Sequence, residues 1–499
     1  FDISAASNLS IALDFTNSGT FTTGNETITF DGASSASESC PAISNADVNI
    51  VVNKSDASGT VTFGNFSVNQ FTVTDGIASI GSSTVTADAA ITVSSGAELT
   101  ISSGSFTADA ASDIDGTLSI TSTGTYDANA DFDATGAAVT FSGAGSIEMS
   151  GSVTKLGTSF TEGSGTIKYD GAGAQGIFNT TYNNLIIDQN STKSATADLD
   201  VDGNLTIDNS ATLDMSATNY NLTIDGNYTL TSGTFNSRTG TVTFSGAGAQ
   251  SLNPGSSSFY NLITATNGTN VTIQADVTVT NNLTIDNNTT LDAGSNRTIT
   301  IGGNWSNSGT FTSASNTVTF NGSGAQSVTT GGTGTGNDFN NVTITNTAGS
   351  PGDASDVATT GAIKVTGTLD VTDGQFMPAT SSDFVNVTLS ASAGILKPAS
   401  GSSITVSGTW NNSGGSSGSF DGNSGTVSFD AGGAQSLTSG GISFYNLSTA
   451  TSSTDLTIQD AFIVANDLTI AASTTLDAGS NRGITIGGNW SNSGTFTSA

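Results

Sequence analysis

The stretch NWSNSGTFTSASNTVTFNGSGAQ, residues 304–326, decides how the chain is read, because it holds both the period of a strand and the start of a repeat. Val318 and Phe320 alternate with Thr317 and Thr319, the pattern of a strand with one buried face. Clusters of Gly, Asn and Ser punctuate it on both sides, as turns do. Its opening words return as NWSNSGTFTSA at residues 489–499.

Working outward, an aromatic nine positions after a Phe and a Gln six positions later recur as Phe160/Tyr169/Gln175, Phe235/Phe244/Gln250, Phe311/Phe320/Gln326 and Phe420/Phe429/Gln435. Phe21 and Phe30 open a further copy with Ala36 in place of Gln, and Phe496 opens another. Successive Gln positions are 75, 76 and 109 residues apart. Inside one such unit, strand cores begin at Leu205, Leu222, Val242, Leu262 and Leu283. A strand about every 20 residues, set off by polar turns, is the signature of one coil of a β-solenoid, with four coils expected per long repeat.

The expected fold is therefore all-β, a right-handed parallel β-helix of about 25 coils that forms an elongated rod. Residues 1–150 read as less regular coils and residues 151–499 as regular coils with repeats of about 76 residues, the whole being one continuous solenoid. Phe244, Phe320, Phe429 and Tyr169, each at the end of an alternating strand, are expected to point inward. Low-complexity polar chains are often disordered, but the phrases NLTID, NVTIQ, TITIGG, TVTF and DVTVT keep an alternation that disordered linkers lack. With 61 Gly, five Glu, six Lys and three Arg, few good helix formers remain.

The net charge of −32 comes from Asp spread along the chain. It argues against nucleic acid and against membrane insertion as modes of action, and it would attract divalent cations. No run approaches the length of a membrane span, and nothing at Phe1 reads as a signal peptide. The one cysteine, Cys40, has no internal partner, and the chain has no His.

The phrases GGNWSNSGTF, TVTFNGSGAQ and FYNL resemble the repeats of secreted bacterial surface proteins of the right-handed parallel β-helix type, such as filamentous-haemagglutinin-like and autotransporter adhesins. The resemblance is close over residues 160–499 and loose before them. It implies an extracellular or cell-surface location and a scaffolding or adhesive role, and it transfers no functional residues.

As a metal site, Asp198, Asp200 and Asp202 followed by Gly203 open like a calcium loop, an oxygen-rich set for a hard cation. The closing Glu is missing, since Asn209 holds that place. The alternative is an outward strand face with Leu199 and Val201 pointing in. Asp127, Asp131 and Asp133 form a weaker set of the same kind. Asn204, Asn221, Asn282 and Asn304 stand in N-x-Ser/Thr sequons, candidates for glycosylation. Trp305, Trp410 and Trp490, with Tyr228 at the matching place, either stack on surface glycans or fill the solenoid interior. Thr-x-Thr runs suit ice binding, but Asn, Asp and Ser interrupt the columns. A carboxylate-pair enzyme would need an acid, a base and a basic residue held together; Arg238, Arg297 and Arg482 are spread in sequence, so no catalytic residue is expected.

Neither FDISAASNLSIALD (residues 1–14) nor GTFTSA (494–499) reads as a cap for an open coil. The solenoid is expected to continue, within a longer array or from copy to copy end to end, with Leu13, Phe15, Trp490 and Phe496 at the contact. The leading reading is a structural protein of a fibre or cell-surface stalk, followed by an adhesin binding carbohydrate or protein, and then by a polysaccharide-degrading enzyme.

Overall fold

Alternating runs form short strands, and the polar clusters between them form corners, in the computed structural model, which describes residues 2, 8–19, 21–39, 47–347, 357–416 and 418–498. Every regular element among the described residues is a strand, and each pairs in parallel with a strand one coil away. Phe1 and Cys40 lie outside the described residues. About 22 coils of about 21 residues make the β-solenoid, fewer and longer than expected from the sequence. Insertions account for the difference: Val342 pairs with Leu369, a long step across the stretch that follows Thr345. The described residues divide into two compact units at the Gly240–Thr241 bond.

In the first unit one inward column runs through Phe106, Tyr126, Ile147, Ile167, Leu185, Leu205 and Tyr228. Each is at most 2 % exposed, and each such burial contributes about 1.5–3 kcal/mol. The alternate residues face out as hydroxyl ladders, with Ser105 Oγ 3.4 Å from Thr84 Oγ1 and Thr125 Oγ1 3.1 Å from Ser146 Oγ. Leu205 and Leu222 open the same LTI phrase but belong to different ladders. Leu205 stacks on Leu185 and Tyr228, whereas Leu222 stacks on Leu199. The step between them is therefore a move from one face to another, not one coil.

The second unit has three ladders. Val242, Leu262, Leu283, Trp305 and Val328 stack on one face. Ile299, Val318, Val342, Leu369, Val387, Trp410 and Leu437 stack on a second. Phe384, Val406, Phe429 and, one column aside, Val427, Leu447, Leu468 and Trp490 belong to a third. The sister strands Thr241–Phe244, Thr317–Phe320 and Thr426–Phe429 thus lie on three different faces. The cause is arithmetic: 76 residues at about 21 per coil is roughly three and two-thirds coils, so four coils do not fit one repeat. Phe244, Phe320, Phe429 and Tyr169 are all fully buried, as their place in the alternation requires.

Corners use positive φ where the chain turns tightly. Asn209, Asn296 and Gly294 adopt it, as does Gly248 of SGAGAQ at +106°. Gly309 of NSGT serves differently: a Cβ there would lie 2.3 Å from Asp286 O and 2.5 Å from Thr289 O, so close backbone approach is what demands glycine.

Candidate functional sites

The Gln that ends each repeat phrase is buried, and at 175, 326 and 435 it staples one coil to the next. Gln326 Nε2 donates to Ile301 O at 2.9 Å and Gly303 O at 2.6 Å, while its Oε1 accepts from Gly322 N at 2.9 Å and Asn346 Nδ2 at 2.8 Å. Gln175 repeats the arrangement with Met149 O, Gly151 O and Gly171 N, and Gln435 Nε2 donates to Val406 O. Ile301 O, Met149 O and Val406 O each also accept a backbone N–H, from Asn321, Asp170 and Asp430, so the amide gives them a second donor, and at 175 and 326 its oxygen takes a corner N–H as well. One coil on, buried Lys193 donates to Gly171 O at 2.6 Å, and Thr454 Oγ1 donates to Ala431 O at 2.9 Å. These polar residues hold the fold, and the sequence shows only their spacing.

Asp198, Asp200 and Asp202 lie at alternate places of the Leu199–Val201 strand region, with Leu199 and Val201 buried and Asp200 and Asp202 exposed. Asp198 Oδ1 already accepts the backbone N–H of Asn221 at 2.8 Å, and Asp200 Oδ2 accepts from Thr181 Oγ1 at 3.3 Å. Burial, then the nearby charges of Asp200, Asp225 and Glu162, raise the Asp202 carboxyl. Among the described residues no group of three or more carboxylates, Cys or His is placed to hold a metal ion.

The sequon asparagines form a corner ladder. Asn204 Oδ1 accepts the N–H of Asn227 and Asn184 Oδ1 that of Asn204. Asn282 Oδ1 accepts from Asn304 N at 2.9 Å, and Asn304 Oδ1 from Ser327 N at 2.8 Å. Asn204, Asn221 and Asn304 are exposed. The side-chain oxygen at each step takes a backbone N–H that the turn would otherwise leave unpaired.

Charge pairs are few and specific. Lys168 Nζ lies 3.1, 3.3 and 3.2 Å from Glu148, Asp170 and Asp188. Desolvation opposes the charge of Lys168, but its bonds to Glu148 and Asp188 outweigh it and hold the ammonium above its ordinary value. Arg238 grips Asp214 through Nε at 2.8 Å and Nη2 at 2.6 Å, which holds that carboxyl low. Arg297 sits at a corner with its backbone N–H on Asn316 Oδ1. Burial pushes Tyr169 up to about 12, so the Tyr169–Tyr182 pair, 3.1 Å apart, stays protonated at neutral pH.

The tryptophans separate into two kinds. Trp305 packs on Phe311 and Phe339 with ring centroids 4.8 and 5.3 Å away, and Trp410 on Phe420 and Phe444 at 4.9 and 5.3 Å. Both are buried, as is Tyr228. Trp490 pairs with Phe496 at 5.0 Å and is 42 % exposed, with no third ring on it among the described residues. Leu13 is 61 % exposed and Phe15, 5.3 Å from Phe21, is half-buried. Among the described residues no helix is long and apolar enough to cross a membrane. Comparison with protein-family models, with curated proteins and with solved structures found no match to this sequence.

Proposed function

We propose that the chain is a non-catalytic structural protein of the cell exterior, a β-solenoid that forms part of a stalk or fibre. One observation carries the reading. Residues 484–498 repeat residues 299–313 letter for letter, yet Trp305 is 1 % exposed and Trp490 is 42 % exposed. Ile299, Ile301 and Phe311 are likewise buried, whereas Ile484, Ile486 and Phe496 are half-buried. The same side chains are covered when a coil lies over them, and Phe339 is the ring that completes the Trp305 cluster. The aromatic and aliphatic residues of the phrase thus serve the stacking of coil on coil, the task of a structural array.

The likeness of the repeat phrases to those of secreted bacterial surface proteins supports the location. Electron microscopy of the native protein tests the reading. Extended stalks or fibres are expected, and isolated compact particles would overturn the proposal.

A further inference from the structure

We infer that the groove at Tyr445, in the second unit, is a binding site for a neutral oligosaccharide. The groove has a volume of about 560 Å3, and Tyr445, 38 % exposed, forms one wall. Gly422 lets the ring lie there, since a Cβ at that position would come within 3.1 Å of Tyr445 N and 3.4 Å of its Cβ. Ser424, Asn423 and Ser443 line the groove with hydroxyl and amide groups, and Asp421, paired with Lys397, adds a carboxylate. The floor is firm, because Phe420 is packed against Trp410 and Phe444. The rim is braced: Asn423 Nδ2 donates to Pro398 O at 3.0 Å, and Asp421 accepts from Asn423 N and pairs with Lys397 at 2.9 Å.

The fold does not require these exposed groups. The phrase SFYNL at 443–447 is also present at 258–262, and the strand that follows differs between the two copies. Ser258 faces Thr278 and Ser443 faces Ile463, so an outward Thr in one copy is an Ile, 46 % exposed, in the other. Thr280, whose Oγ1 donates to Phe259 O at 3.2 Å, corresponds to Ala465, which lines the Tyr445 groove. Tyr260 is half-buried where Tyr445 is exposed. The second copy has lost two hydroxyls beside its Tyr and gained open space and apolar surface.

An exposed aromatic face with a rim of amide and hydroxyl groups matches a pyranose, whose C–H face stacks on the ring while its hydroxyls meet the rim. A second groove of about 230 Å3 lies beside Ile463 and Thr485, on the strand ladder that Ser443 begins. Charge selects among saccharides. Lys397 neutralises Asp421, and the chain carries −32 overall, so uronic or sulfated glycans are repelled.

Isothermal titration of the 499-residue chain with cellohexaose, mannohexaose, chitohexaose and, as the acidic comparison, oligogalacturonate tests the assignment. At least one neutral hexasaccharide is expected to bind and the oligogalacturonate is not. Tyr445→Ala should weaken that binding at least about tenfold, Tyr445→Trp should keep it within about threefold, and Ala465→Thr should weaken it by refilling the groove. Phe496→Asp, outside the lining of the groove, should leave it unchanged, which separates loss of this site from general damage to the fold. Absence of binding to every neutral saccharide, or binding that Tyr445→Ala leaves intact, would overturn the inference. Self-association lost in Tyr445→Ala with no saccharide bound would reassign the groove to a protein partner.

Discussion

At the scale of single residues, the side chains that matter most to this fold are the polar ones it encloses. Replacing Gln326 by Ala would leave Ile301 O, Gly303 O and Gly322 N without their side-chain partner, so a loss of about 2–4 kcal/mol is expected in urea unfolding. Gln326→Glu should be no better, because a carboxylate cannot donate to the two carbonyls. A loss below about 0.5 kcal/mol for both would show that water replaces the amide freely. The fixed place of this Gln was plain in the sequence. Its task was not, because its acceptor at Ile301 lies on the previous coil and nothing local marks it. The Tyr445 groove was hidden for a similar reason: Ala465 and Ile463 read as ordinary strand residues until their sister positions, Thr280 and Thr278, are set beside them. Of the tryptophans, the sequence left interior filling and sugar stacking open, and Trp305 and Trp410 proved to be interior.

Among the elements, what a strand needs depends on what lies above it. Trp305→Ala is expected to cost about 3–5 kcal/mol, since it empties a closed three-ring cluster. Trp490→Ala, in an identical phrase, removes a side chain that is 42 % exposed and should lower the melting temperature of the 499-residue chain less, and equal destabilisation by both would contradict the difference in burial. Corners should divide likewise. Gly309→Ala drives a methyl into Asp286 O, whereas Gly248→Ala meets no atom within 4 Å and suffers only its positive φ, about 1–2 kcal/mol. Gly309→Ala should therefore be the more damaging of the two by thermal melt. Alternation made nearly every strand legible, because apolar and hydroxyl residues sort to opposite faces whatever surrounds them. The faces to which strands belong were not legible. LTI at Leu205 and LTI at Leu222 are the same phrase on different ladders, and only pairing with Tyr228 or Leu199 tells them apart.

For the whole molecule, charge sets the response to pH and ions. Burial, reinforced by neighbouring carboxylates, raises Asp113, Asp127, Asp202 and Asp430. Groups raised in the folded state bind protons more readily there than when unfolded, so they favour folding as pH falls toward their folded values. Arg238 holds Asp214 low, and bonds from Asn209, Gln189 and Lys168 overcome burial to hold Asp188 low. Their contribution is present above the ordinary carboxylate value and is lost as pH falls through their lower folded values. The melting temperature should then hold or rise from pH 7 to about 5 and drop below about pH 3.5, and a steady fall from pH 7 downward would contradict the sign. Magnesium and calcium at matched ionic strength are expected to raise it alike by screening diffuse charge, and a large rise with calcium alone would point to a tight site at Asp198, Asp200 and Asp202.

The one-third shortfall of the repeat makes the second unit behave like text with a reading frame. Phe244 and Phe320 are 76 residues apart and Phe320 and Phe429 are 109 apart, the longer interval holding one additional coil, yet each interval sets the phrase back by one face. Gain or loss of a whole coil is thus silent to orientation, whereas gain or loss of one 76-residue copy turns every later surface, the Tyr445 groove included, toward a new direction. Only three copies together restore the frame. Recombination between such similar stretches of the gene would therefore re-aim a binding surface without touching any residue in it.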